Sequence, residues 1–121
     1  MAIKEGEIPP SIQQQIVRLQ QLQQTLNMIL VEKQRLEVEL IEVKNAIDEL
    51  EKSTDDVIVY KAVGPVLVQS SKQKLLQELN EKKELTETRL KILEKQEQRT
   101  RSQLDSLQKE LQAALSEKKL T

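Results

Sequence analysis

The sequence predicts a mainly α fold: a long antiparallel two-helix coiled coil whose arms are joined by a central β-hairpin, and that hairpin joins an intersubunit β-barrel. Three observations carry this expectation. The first arm places Leu19, Leu22, Leu26, Ile29, Lys33, Leu36, Leu40, Val43, Ile47 and Leu50 at alternating steps of three and four. The second arm repeats that spacing through Leu76, Leu79, Lys83, Thr86, Leu90, Leu93, Glu97, Thr100, Leu104, Leu107, Leu111 and Ala114. This is the period of a coiled-coil seam. Between the arms lies a valine-rich segment, Val57 to Val68, with neither that period nor the polarity of a loop. Composition agrees: of 121 residues, 32% are charged, only 2 are Gly, and Tyr60 is the sole aromatic. That balance belongs to long helices, not to a packed globule.

Residues 1–10 read as a flexible lead, closed by Pro9-Pro10. Ser11 with Gln14 three residues later fits a capping box, so the first coiled-coil helix is expected over 11–52. At 1.5 Å per residue that is roughly 60 Å. Near Leu19 the stripe shifts slightly, with Ile12, Ile16 and Leu19 on a slightly different line from Leu22 onward, which implies a local change of winding. Ser53 to Asp56 stops the helix, and 53–70 forms the hairpin element. Its β-branched residues favour strand, and Gly64-Pro65 punctuates its middle. Gly-Pro is not a preferred two-residue hairpin turn, so the sequence leaves the turn type open. Ser70 with Gln73 offers a second capping box, and the second helix is expected over 71–119. Lys118 and Lys119 then lie near its C-terminal dipole. The whole chain reads as one domain.

An antiparallel register sets Leu50 opposite Leu76, Ile47 opposite Leu79, Leu36 opposite Leu90, Leu22 opposite Leu104 and Leu19 opposite Leu107. Its midpoint is Val63, inside the hairpin, so an intrachain pair closes with no leftover length. Polar residues interrupt the seam at Lys33, Lys83, Thr86, Glu97 and Thr100. Such residues specify register at some cost in stability, and this register brings Lys33 and Glu97 into neighbouring layers.

With a two-residue turn, Val57, Val59, Val63, Val66 and Val68 share one hairpin face, and Ile58, Tyr60, Ala62 and Leu67 the other. Two apolar faces and two open edges make a lone hairpin marginal in water. Hairpins of neighbouring chains can complete a closed sheet. The expected assembly residues are therefore Val57, Ile58, Val59, Tyr60, Val63, Gly64, Val66, Leu67 and Val68.

The opposite ends of the helices have a different character. From Ser11 to Leu30 the only charged residue is Arg18, and Gln fills the polar positions. The apolar stripe there is wider than a two-position seam needs, with Ile16, Val17, Leu30 and Leu115 in excess. A charge-poor apolar surface of this kind suits weak binding of non-native polypeptide. The expected client-binding residues are Ile8, Ile12, Ile16, Val17, Leu111, Leu115 and Leu120.

Several function classes are excluded. The chain has no Cys and no His, which removes disulfides, zinc sites of Cys type, thiol catalysis and the commonest general base. The only glycines are Gly6 and Gly64, so no loop cradles phosphate. No catalytic, metal or cofactor-binding residue is expected, and the chain is not expected to be an enzyme. Its 19 basic and 20 acidic residues are interleaved rather than clustered, which argues against a nucleic-acid partner. No apolar stretch approaches the roughly 18–20 residues of a membrane span, and no secretory signal is visible. A cytoplasmic location without membrane association is expected.

The chain resembles archaeal-type prefoldin β subunits over nearly its whole length. The resemblance rests on Ile8-Pro9-Pro10 leading into the Gln-rich Ile12–Gln24 stretch, and on Asp55-Asp56 followed by Val59-Tyr60-Lys61-Ala62-Val63-Gly64 and Val66-Leu67-Val68. A third block is Leu90-Lys91-Ile92-Leu93-Glu94-Lys95-Gln96-Glu97. The turn Gly64-Pro65 departs from the Gly-Asn-like turn of that pattern. The resemblance implies an ATP-independent holdase chaperone, with two α-type and four β subunits in an α2β4 hexamer. Their hairpins would form joined barrels, and the coiled coils would capture unfolded polypeptides and deliver them to a group II chaperonin. The alternative from a different class is a structural coiled-coil tether or scaffold, which needs a defined docking face instead of a charge-poor adaptable one.

Overall fold

The computed structural model describes residues 8–120, with side chains as far as Ser116. The element order is α1 (Pro10–Lys52), β1 (Val59–Val63), β2 (Val66–Ser70) and α2 (Lys72–Leu120).

Local chemistry places the helix starts one residue from where the capping boxes put them. At α1 the Pro9 carbonyl accepts from the N–H groups of both Ile12 and Gln13 at 3.0 Å. Pro10 takes the first helical position, where its missing N–H is no loss and its fixed φ is already helical. The helix therefore begins before Ser11. At α2 the cap is Ser71, not Ser70: the Ser71 Oγ accepts from the Lys74 N–H at 3.2 Å. Ser70 is the last residue of β2. Its Oγ is buried with no hydrogen-bond partner.

The chain divides into two compact units, one of residues up to Glu32 with those from Leu93 onward, the other Lys33–Ile92. Within Lys33–Ile92 the core is Leu36, Val43, Ile47 and Leu90, with Leu36 only 2% exposed. The helices run antiparallel there: Glu39 pairs with Lys82 at 3.2 Å, while Ser53 O accepts from Lys72 Nζ at 2.6 Å. In the other unit the core is Ile12, Leu22, Ile29, Leu104 and Leu111. Its grooves set Arg18 and Leu22 beside Leu107 and Glu110, and Met28 and Ile29 beside Leu93 and Gln96, again antiparallel.

All the heptad seam positions of both arms are buried or half-buried. Thr86 and Thr100 are buried among them. The Thr86 hydroxyl donates to the Lys82 carbonyl at 2.8 Å. A partner within its own helix removes most of the cost of burying that hydroxyl.

The strands pair antiparallel, with Val59 opposite Ser70, Lys61 opposite Val68 and Val63 opposite Val66. Gly64-Pro65 is thus a two-residue turn, and Gly64 has φ 57°. The proline ring holds its own φ near −65°. Positive then negative φ, with Gly first, is the pattern of a type II′ turn, whose twist matches paired strands. Gly-Pro therefore closes the hairpin in a favoured geometry. A Cβ at residue 64 meets nothing within 4 Å, so the requirement for glycine is purely one of backbone angle. Gly64→Ala should cost about 1–2 kcal/mol in hairpin stability. Amide exchange at Val63 and Val66 in the isolated chain should rise about tenfold, and unchanged exchange would contradict this.

Candidate functional site

The hairpin leaves most of its apolar side chains open to solvent. Cross-strand register puts Val59, Lys61, Val63, Val66 and Val68 on one face, and Ile58, Tyr60, Ala62, Leu67 and Gln69 on the other. Within the chain Val63, Gly64, Val66 and Val68 are exposed, Val57 and Val59 are half-buried, and Ile58 and Tyr60 are exposed. Leu67 is 71% exposed. All nine residues expected to drive assembly thus lie on or beside one two-stranded sheet.

The valine face is not wholly apolar. Lys61 stands in its middle, a residue the alternation of the strand assigns to that face. Its Nζ lies 2.9 Å from Glu78 Oε2 on α2. Lys72 makes a second link at the foot of the hairpin. Its amine, largely covered, donates to the Ser53 carbonyl at 2.6 Å and lies 3.4 Å from Asp55 Oδ1. That cation also meets the carbonyl-rich end of α1, where positive charge is favoured.

The helix ends divide the expected client-binding residues. Ile8, Val17 and Leu115 are exposed, and Ile16 is half-buried. Val17 sits in a shallow groove with Pro10, Gln13, Gln14, Arg18 and Gln21. Ile12 and Leu111 require correction: they are 3% and 7% exposed and belong to the seam. The reason is phase. Ile12 lies one heptad before Leu19, and Leu111 one heptad after Leu104, so helix pairing covers both. The Leu120 side chain lies outside those described.

More exposed apolar side chains lie elsewhere in the same unit. Met28 and Val31 are 71% and 70% exposed, more than any of the expected client-binding residues described. Met28 borders a groove with Ile29, Leu93 and Thr100, rimmed by Glu32 and Arg99. Within Lys33–Ile92, Val38, Ile41, Leu85 and Ile92 are exposed in the same way. Their signal in the sequence is an apolar residue at a heptad position off the seam.

The described helices include none long and apolar enough to cross a membrane. The family model described as "Prefoldin subunit" matches residues 13–118. The chain is 43% identical over 108 residues to a protein named prefoldin subunit beta from Pyrococcus furiosus, covering 89% of this chain and 92% of that one. A namesake from Methanothrix thermoacetophila is 43% identical over 112 residues, with 93% of each chain covered. The crystal structure of the prefoldin beta subunit from Thermococcus strain KS-1 superposes with a TM-score of 0.81 at 42% identity, covering 89% of this chain and 95% of that one. Two seam-paired helices, an open hairpin and these likenesses lead to one conclusion: the chain belongs to the prefoldin family of chaperone subunits, with its likeness to the beta type.

Proposed function

We propose that this chain is the β-type subunit of an ATP-independent holdase. Its hairpin assembles with other β subunits and an α-type subunit into an α2β4 complex in the cytoplasm. Its helix ends capture non-native polypeptides and pass them to a group II chaperonin. The observation that supports capture most directly is the exposure of Val17 and Met28 within Ser11 to Leu30, where the only charge is Arg18, with the exposed Val31 directly after it. Apolar side chains without a charge pattern hold chains of many sequences weakly, because nothing there demands a matching partner. Met28 adds an unbranched, polarizable side chain that adapts to irregular surfaces.

Assembly is supported by the hairpin, whose apolar side chains stay open on both faces. Two free sheet edges supply the backbone groups that a neighbouring hairpin would pair.

Truncating Met1–Val17 and Leu111–Thr121 tests capture. Suppression of aggregation of an unrelated denatured protein should be lost, while assembly with an α-type subunit remains. Full suppression after truncation would refute capture at the helix ends. Because Ile12 and Leu111 are seam residues, a second variant, Val17→Glu with Met28→Glu and Val31→Glu, should give the same loss with the seam intact.

A further inference from the structure

Lys61 is the only charged residue in either strand. It faces the start of α2 in a groove with Leu75, Glu78, Leu79, Glu81 and Lys82, and its ammonium lies 2.9 Å from the Glu78 carboxylate. The two hairpin faces are consequently unequal. On the valine face Val63, Val66 and Val68 are about half exposed, whereas Ile58, Tyr60 and Leu67 opposite are 66%, 58% and 71% exposed. We propose that Lys61 and Glu78 are a positioning pair, holding the valine face toward α2 so that the Ile58/Tyr60/Leu67 face meets neighbouring chains. This rests on the reading of the hairpin as the assembly element.

The physical argument is one of populations. A two-stranded hairpin has little of its own to hold it at one tilt. If only one tilt can enter a shared sheet, apparent affinity falls by the fraction of chains that adopt it. The side chains of Lys61 and Glu78 remain 49% and 34% exposed, so the pair shifts that fraction only a few-fold. Every copy of this chain in the assembly carries the same factor, and the factors multiply. The pair also has a direction. Turning the valine face into an apolar sheet interior would bury the Lys61 ammonium without its partner, which is strongly disfavoured.

The full-length chain, mixed with an α-type subunit, provides the test by native mass spectrometry over a dilution series. Lys61→Glu and Glu78→Lys alone should each raise the concentration for half-assembly about tenfold or more. Helix melting of the chain alone should not move. The double variant, with the charges exchanged, should return to within about threefold of the unmodified chain. At 1 M salt, where screening acts over about 3 Å, the gap between unmodified and single-variant chains should narrow. Should either charge reversal prevent folding, Lys61→Gln and Glu78→Gln should give a smaller shift in the same direction. Assembly of the single variants at the unmodified midpoint would overturn the proposal, as would a double variant no better than the singles. Intact assembly of Leu67→Asp would instead overturn the role of the hairpin itself.

Discussion

Leu67→Asp is expected to abolish assembly with an α-type subunit while leaving the isolated chain folded. Leu67 is 71% exposed and pairs across the hairpin with Ala62, so in the lone chain the carboxylate stays in water. The cost there is confined to the poor strand preference of aspartate, about 1 kcal/mol at most. In a shared sheet the same carboxylate would be buried without a partner, a penalty of several kcal/mol. At about 1.4 kcal/mol per tenfold, dissociation should rise by roughly a thousandfold or more. Native mass spectrometry would then show the single chain where the unmodified protein forms the complex, with far-ultraviolet circular dichroism unchanged. Persistence of the complex would remove the hairpin from assembly.

Leu36→Ala should have the opposite signature, unfolding the subunit without touching a surface. Among the described residues Leu36 is the largest fully buried side chain, within the unit whose core includes Val43, Ile47 and Leu90. Truncation loses transfer free energy and leaves a void between paired helices, together about 2–5 kcal/mol. For a chain of this length that is a fall in melting temperature of roughly 10 °C or more. Val38→Ala is the control, two residues along α1 but half exposed, and should change stability by no more than about 0.5 kcal/mol. Equal melting temperatures for the two variants would mean that the heptad seam is not the core.

Most of the fold was legible because periodicity is a strong signal. Apolar residues at steps of three and four specify which face of each helix is covered, and every one of those positions is covered. The valine-rich interruption specified strands, and the midpoint of the register at Val63 lies one residue from the turn glycine. Cap positions were less legible. Ser70 and Ser71 are equivalent as sequence, but pairing of Ser70 with Val59 commits Ser70 to the sheet and leaves Ser71 to accept from the first turn of α2. At the other end, the Pro9 carbonyl captures two orphan N–H groups before Ser11 can serve.

The candidate surfaces were only half legible, for a related reason. A stripe of apolar residues does not say which members the partner helix reaches. Pairing within the unit that holds both helix ends buries Ile12 and Leu111 and leaves Val17, Met28 and Val31 open. The hairpin presents the same limit. Its alternation assigned the valines to one face and Ile58, Tyr60 and Leu67 to the other, from spacing alone. That Lys61 of the valine face reaches α2 depends on Glu78, which lies 17 residues further along the chain and comes within 2.9 Å of Lys61 only after the turn and the helix start are set. Local period and turn chemistry act between near neighbours and can be read along the chain; coverage and charge pairing depend on which distant residues folding brings together.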